Sequence, residues 1–248
     1  MTSAHPELDG DWHVHSTFSD DAHSPLQDNV DAAVSTGLRE IRLTEHVRTT
    51  TAWVPDFLTA VSALDVPGSL RVRTGVEAKV LDVSGTLDVP PDLVVGSGGI
   101  DGIVIADHQM PGPDGPWSPT RTREALAAGL TPAEVVDMLL TGTIAAMERA
   151  GGGAQLAHPF SILPKIGLSE DYLDDDALVR WARAAAGTGT RVEVNEKWAC
   201  PGTRALQALR SEGAEVVAST DAHHARDVGR YDRVVGILDR AGDAQARR

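Results

Sequence analysis

The chain has 248 residues, 42% of them hydrophobic, enough for one large domain or two small ones. Its 22 basic and 36 acidic residues give a formal charge of −14, which argues against a surface built for long nucleic acid or anionic lipid. A small anionic substrate is still compatible, because a bound divalent metal inverts the local field. Cys200 is the only cysteine, which excludes an intrachain disulfide and a Cys-rich zinc site. No apolar run reaches the ~20 residues of a membrane span, and a cytoplasmic protein is expected.

Residues 1–10 read as a short leader, without the basic and apolar regions of a signal peptide. Asp11–His15 reads as a strand, Ser16–Pro25 as a polar loop, and Gln27–Gly37 as an amphipathic helix stopped by its glycine. Arg39–Leu43 is a second strand, ending at Thr44-Glu45-His46. Pro55–Ala63 is helical, Leu70–Val80 is a strand with Glu77 near its end, and Asp82–Asp88 is a hairpin-like connection. Gly102–Ala106 is an apolar strand running into Asp107-His108, and Met110–Pro119 reads as a rigid Pro/Gly-rich loop.

Thr131–Ala150 carries a complete helix start, with Thr131 as cap, Pro132 at the first position and Glu134 in the first turn. Ala154–Ala157 leads to His158-Pro159. Asp174–Ala186 is a helix, Thr190–Val194 a strand leading to Asn195, and Thr203–Gly213 a helix. Glu215–Ser219 leads to Thr220-Asp221-Ala222-His223-His224. Asp232–Arg240 closes the chain as a helix, and 241–248 reads as a frayed tail. A single domain over 11–240 is expected.

Strands alternating with helices imply a mostly parallel α/β sheet. Six of the seven strand–loop–helix units carry a metal-type residue at or just after the strand's C-terminal end, the face where a barrel of this kind collects its site. His13 and His15 are two apart, so a strand presents both imidazoles on one face. The candidate ligands are His13, His15, Asp20, His46, Glu77, His108, His158, Asp221 and His223, with Asp21 and His23 beside Asp20 in the same loop. Imidazole and carboxylate without thiolate suit Zn, Mn or Fe. Nine donors exceed the needs of one ion and would serve two or three, with Glu77 bridging. Such sites hold both the attacking and the leaving oxygen in phosphoryl transfer.

The ordered series His-x-His…Asp, Thr-Glu-His, Gly-Val-Glu, Ala-Asp-His, Ala-His-Pro and Ser-Thr-Asp-Ala-His resembles the PHP (polymerase and histidinol phosphatase) family over residues 11–229. The resemblance implies a distorted (β/α)7 barrel with a trinuclear metal site that hydrolyses phosphate esters. Carried onto this sequence, it assigns His13, His15, Glu77 and Asp221 to one ion. It assigns Glu77, His108 and His158 to a second, and Asp20, His46 and His223 to a third. The chain departs from the family pattern at Glu45, where Asp is usual, and at Asp107, where Val is common. Asp107 reads as a partner orienting His108 or another imidazole, or as an acid facing water.

The expected chemistry is in-line attack by a metal-bridging hydroxide, with His13, His15, Glu77, Asp221 and His223 as the catalytic core. Arg48, Asn195, Lys197 and Arg226 are candidate substrate contacts. Trp117 and Trp198 read as packing in loops on the active face, with stacking on a planar substrate as the alternative. With no appended domain visible, the expectation is a stand-alone phosphomonoesterase acting on a small phosphorylated metabolite, histidinol phosphate being one candidate. The alternatives are a phosphodiesterase or nucleotide hydrolase, an amidohydrolase-like C–N hydrolase, and a non-catalytic metal-binding protein.

Overall fold

The computed structural model describes residues 5–246. Seven parallel strands form one sheet in sequence order: β1 (Gly10–Val14), β2 (Glu40–His46), β3 (Arg71–Lys79), β4 (Gly102–Ala106), β7 (Gln155–Leu156), β8 (Arg191–Asn195) and β9 (Val216–Ser219). Between β4 and β7 a two-stranded antiparallel hairpin is inserted, β5 (Met110–Gly112) with β6 (Gly115–Trp117). The helices are α1 (Leu26–Thr36), α2 (Val54–Ser62), α3 (Pro119–Ala127), α4 (Pro132–Ala150), α5 (Ile162–Lys165), α6 (Asp175–Thr188), α7 (Thr203–Ser211) and α8 (Arg233–Ala246).

The first and last strands meet, so the sheet is a nearly closed barrel. His15 N–H donates to Ala222 O at 2.8 Å, and Val14 bridges Ala222 in parallel register. Asp11, fully buried on β1, accepts from the Thr220 N–H at 2.9 Å and the Gly229 N–H at 3.0 Å, and also from the Thr220 hydroxyl. Burial pushes this carboxyl up to about 6 against those hydrogen bonds. It fastens the seam that no ladder of regular pairs covers.

Two-residue alternation decides what the barrel contains. Ile41 and Leu43 of β2, Val76 and Ala78 of β3, Ile103 and Ile105 of β4 and Val192 of β8 join the apolar clusters against the helices. The opposite parity is largely polar, with His13 and His15, Arg42 and Thr44, Glu77 and Lys79, Gln155, Glu193 and Asn195, while Val104 and Ala106 of β4 form a small apolar cluster with Ala157. Below the site this lumen is a hydrogen-bonded column. Arg42 donates to Gln155 at 3.1 Å, and Gln155 donates to Trp12 O at 2.9 Å and Glu193 at 2.7 Å.

The elements follow the expected order, with ends shifted by one or two residues in most cases. β2 extends to His46, so that histidine belongs to the strand rather than following it. The α4 start has both halves of a capping box, Glu134 N–H to the Thr131 hydroxyl and Thr131 N–H to Glu134. The Met110–Pro119 segment is not merely a loop: Gly112-Pro113-Asp114-Gly115 turns the β5–β6 hairpin. The hairpin seats Pro111 on α4 at Gly142, where an added Cβ would lie 2.7 Å from the proline ring. α3 was not expected, yet Ser118 caps it and Pro119 opens it. Of the expected leader, Pro6–Asp9 forms a 3-10 turn and Gly10 begins β1, while residues 1–4 lie outside the described residues. Of the expected tail, 241–246 continues α8 and residues 247–248 lie outside the description. No helix among the described residues is long and apolar enough to cross a membrane.

Candidate metal centre

Glu77 sits at the C-terminal end of β3 and is the hub of the site. Its Oε1 lies 3.0 Å from His108 Nε2 and 3.1 Å from His158 Nε2. Its Oε2 lies 2.8 Å from His46 Nδ1 and 3.5 Å from both His13 Nε2 and His15 Nε2. Five imidazoles, from β1 and the turn after it, β2 and the loops after β4 and β7, thus converge on one carboxylate that is 2% exposed. Burial alone would push its carboxyl up. The surrounding imidazoles, His108 and His13 foremost, reverse this and hold it well below the ordinary carboxylate range.

On the far side of His15, Asp221 and His223 follow β9. Asp221 Oδ1 is 3.4 Å from His15 Nε2 and 3.5 Å from His223 Nδ1. Burial pushes the Asp221 carboxyl up, and the His15 hydrogen bond and nearby imidazoles outweigh that and lower it. Asp221 and His158 hold φ at 54° and 27°, a left-handed region that costs non-glycine residues of the order of 1–3 kcal/mol each. Both lie just after a barrel strand, where the turn aims their side chains at Glu77 and His15.

Four of the imidazoles are oriented from behind. His13 Nδ1 is 3.2 Å from Glu193, His15 Nδ1 is 3.2 Å from the Ser19 hydroxyl, and His158 Nδ1 is 3.2 Å from Asp107. His223 Nδ1 is 2.9 Å from Asp221 O. The outer nitrogens of His13, His15 and His158 are therefore engaged, and their Nε2 atoms face the centre, as metal-ligating histidines are arranged. His13 Nε2 and His15 Nε2 approach to 2.9 Å. Behind Ser19, buried Glu45 accepts its hydroxyl at 2.6 Å, and burial pushes that carboxyl up to about 7.

The donor set fits metal ions. Glu77 Oε2 is buried without a hydrogen bond, since His46 approaches it outside hydrogen-bond geometry. Three triplets each bring ligand atoms within 4.8 Å of one another: His13–His15–Glu77, His46–Glu77–His108 and His15–His46–His223. Buried carboxylates facing crowded imidazole nitrogens leave a demand for positive charge that a divalent ion supplies.

Eight of the nine expected donors meet here, and the loop carboxylate is the exception. Asp21, not Asp20, reaches the histidines, with Oδ1 3.4 Å from His46 Nε2 and Oδ2 3.3 Å from His223 Nε2. Asp20 lines the same cleft without pairing to them. Asp107 orients His158 rather than His108, and also accepts the Ser161 hydroxyl at 2.8 Å.

The cleft above the donors measures about 230 Å³ and is rimmed by Arg48, Lys79 and Lys197. Arg48 and Lys197 were expected there. Lys79 was not, although it shares a strand face with Glu77. Asn195 turns away from the cleft: it donates to Glu193 at 2.7 Å and accepts the Trp198 N–H at 2.9 Å. Arg226 is also absent from the rim, with its side chain 75% exposed and its Nε 3.8 Å from Asp227.

The two loop tryptophans part company. Trp117 donates to Asp114 and lies under Arg121 on the hairpin. Trp198 lines the cleft and donates to Asp221 at 2.9 Å. Sequence reasoning missed Glu193, which accepts from His158 N–H at 2.6 Å as well as from Gln155, Asn195 and His13. The signal was available, because Glu193 shares a strand face with Asn195, alternating with the apolar Val192 and Val194.

Comparison with known proteins agrees with this geometry. The chain is 24% identical over 238 residues to a protein of Acetivibrio thermocellus described as a probable phosphatase, covering 92% of this chain and 85% of that one. It superposes with a TM-score of 0.66 on the crystal structure of histidinol phosphate phosphatase from Lactococcus lactis, complexed with zinc, L-histidinol and phosphate. That match has 17% sequence identity and covers 94% of this chain and 93% of the other, showing a shared fold. The PHP domain model matches residues 11–197, most of the chain. With seven parallel strands gathering imidazoles and carboxylates at one end of a nearly closed barrel, this chain belongs to the PHP domain family.

Proposed function

We propose that the protein is a metal-dependent hydrolase of small phosphate monoesters. The observation that carries this reading is the Glu77 carboxylate, whose two oxygens face imidazoles arriving from four separate segments of the barrel mouth. His13, His15, Glu77 and Asp221 would hold one ion, with Glu77, His108 and His158 holding a second. His46, His223 and Asp21, in place of Asp20, would hold a third. Two or three Zn, Mn or Fe ions suit this all-N,O donor set. Bound there, such ions supply Lewis acidity toward the phosphoryl oxygens and a nucleophile at neutral pH.

The chain's own residues do the rest. Arg48, Lys79 and Lys197 draw a dianionic phosphate into a cleft on an otherwise acidic protein. Glu193, Asp107 and the Ser19–Glu45 pair fix the imidazole rings, so the donors need not reorganise as substrate enters. Lys197 lies 3.4 Å from Asp221 and 3.3 Å from His223, within reach of substrate and donors together.

The test couples metal analysis to turnover. Purified without chelator, the protein should carry two to three ions per chain. It should release phosphate from a panel of sugar, amino-alcohol and nucleotide monoesters faster than from diester controls. His13→Ala and Asp221→Ala should lose both properties. A protein that binds no metal, or that releases no phosphate when metal-loaded, refutes the proposal.

A further inference from the structure

A second cavity of about 540 Å³ adjoins the metal cleft, and the two share Lys197 and Trp198. Its apolar wall includes Phe160, Leu178 and the Trp198 ring. A phosphate ester seated over the donors has this space open to its alcohol portion.

Most polar groups lining the cavity are already committed. Arg204 donates to Leu173 O at 3.0 Å and Asp175 at 2.7 Å. Ser161 donates to Asp107, and Ser169 donates to Asp171 at 3.0 Å. Both oxygens of Glu170 lie 2.9 Å from the Gly202 N–H, and burial pushes this carboxyl up to about 7, which halves its charge near neutral pH. Lys197 faces Asp221.

Lys165 is different. Its ammonium makes no hydrogen bond or ion pair among the described residues and lies 4.1 Å from the centroid of the Trp198 ring. That indole is fixed on its edge by the hydrogen bond to Asp221. Lys165 thus rests on the indole whose edge meets Asp221, half-buried and held by a π face instead of an anion. A cation–π contact stabilises an ammonium less than a carboxylate or phosphate does. In a chain of net charge −14, a cation without an acidic partner at a cavity wall is suited to contact an anionic group of a ligand.

We infer that this cavity receives the leaving alcohol of the substrate, and that Lys165 selects alcohols bearing a second anionic group, a carboxylate or a phosphate. The inference rests on the phosphatase reading above. An amino alcohol would bring its own cation to Lys165.

The test uses the metal-loaded full chain and kcat/KM for matched monoesters: 3-phosphoglycerate, fructose 1,6-bisphosphate, glycerol 3-phosphate and phosphoethanolamine, with p-nitrophenyl phosphate as a general reporter. The wild type should prefer the better of the two anionic alcohols over phosphoethanolamine by about tenfold or more, the size of one charge-assisted contact. Which of the first two leads tells carboxylate from phosphate. Lys165→Met, which keeps the aliphatic stem, should collapse that ratio, and Lys165→Glu should invert it, with unchanged circular dichroism as the folding control. A wild type that prefers phosphoethanolamine, or a ratio unmoved in both variants, overturns the inference. If p-nitrophenyl phosphate and every other ester stay intact, the phosphatase reading itself falls.

Discussion

Replacing Glu193 with glutamine tests whether the imidazoles are held by charge from behind. Glu193 is fully buried and faces four donors: His13 Nδ1, the His158 N–H, Gln155 and Asn195. Burial pushes its carboxyl up, but His13 foremost and then His158 outweigh this, and the group stays ionised. Glutamine keeps the shape, retains one acceptor oxygen and turns an NH2 toward the remaining donors. With two donors left unmatched at about 1–3 kcal/mol each, Glu193→Gln should lose of the order of 2–6 kcal/mol of stability. It should also bind metal about 10–100-fold more weakly, because His13 loses the anion that raises its basicity and sets its tautomer. Chelator-competition titration measures the second effect and chemical denaturation of the metal-free chain the first. A folded variant with wild-type metal affinity and wild-type stability would refute the orienting role.

Asp21→Asn should weaken metal retention and activity by about tenfold or more, whereas Asp20→Asn should change either by less than about threefold. The reverse ranking in a paired metal titration would restore Asp20 as the loop ligand. Glu170 has a folded pKa of about 7 against an ordinary 4.5, so its contribution to stability is complete below pH 4.5 and lost as pH rises through 7. Glu170→Gln should flatten that decline and leave the protein about 1–3 kcal/mol more stable than wild type above pH 7. Parallel stability–pH curves for the two proteins would contradict the burial argument. Thr131→Ala removes one half of the α4 capping box and should cost about 1 kcal/mol, seen as a melting temperature lower by about 2–4 °C. No shift in calorimetry would mean that the box does not hold the α4 start.

Strand-end donors were legible because a parallel barrel converts a short local signal into a convergent one. His13-x-His15 fixes a face by itself, Glu77 and His46 lie at or near the ends of alternating strands, and Asp107-His108 follows an apolar run. The choice between Asp20 and Asp21 was not legible, because both lie in an irregular turn whose direction depends on packing against His23 and His223. Glu193 was hidden by position, mid-strand and below the mouth, so only its parity with Asn195 marks it. Asn195 itself faces inward as its parity requires, but Glu193 and the Trp198 backbone absorb its side chain before it can reach a substrate. α3 escaped because it buries little besides Thr122 and has no apolar stripe to read, so its Ser118-Pro119 start is its only signature. The hairpin carried its own signal in Pro113-Asp114-Gly115, a turn sequence with a physical basis.

The seam between β1 and β9 has a consequence for the order of events in the cell. His13 and His15 lie on the first barrel strand and just after it, while Asp221 and His223, their partners across the seam, follow the last strand. Translation delivers the donors up to His158 long before those two leave the ribosome. An ion shared across the seam would load only after the ring has shut. From then on it would act as a clasp joining the first and last strands, so that metal occupancy would report closure of the barrel.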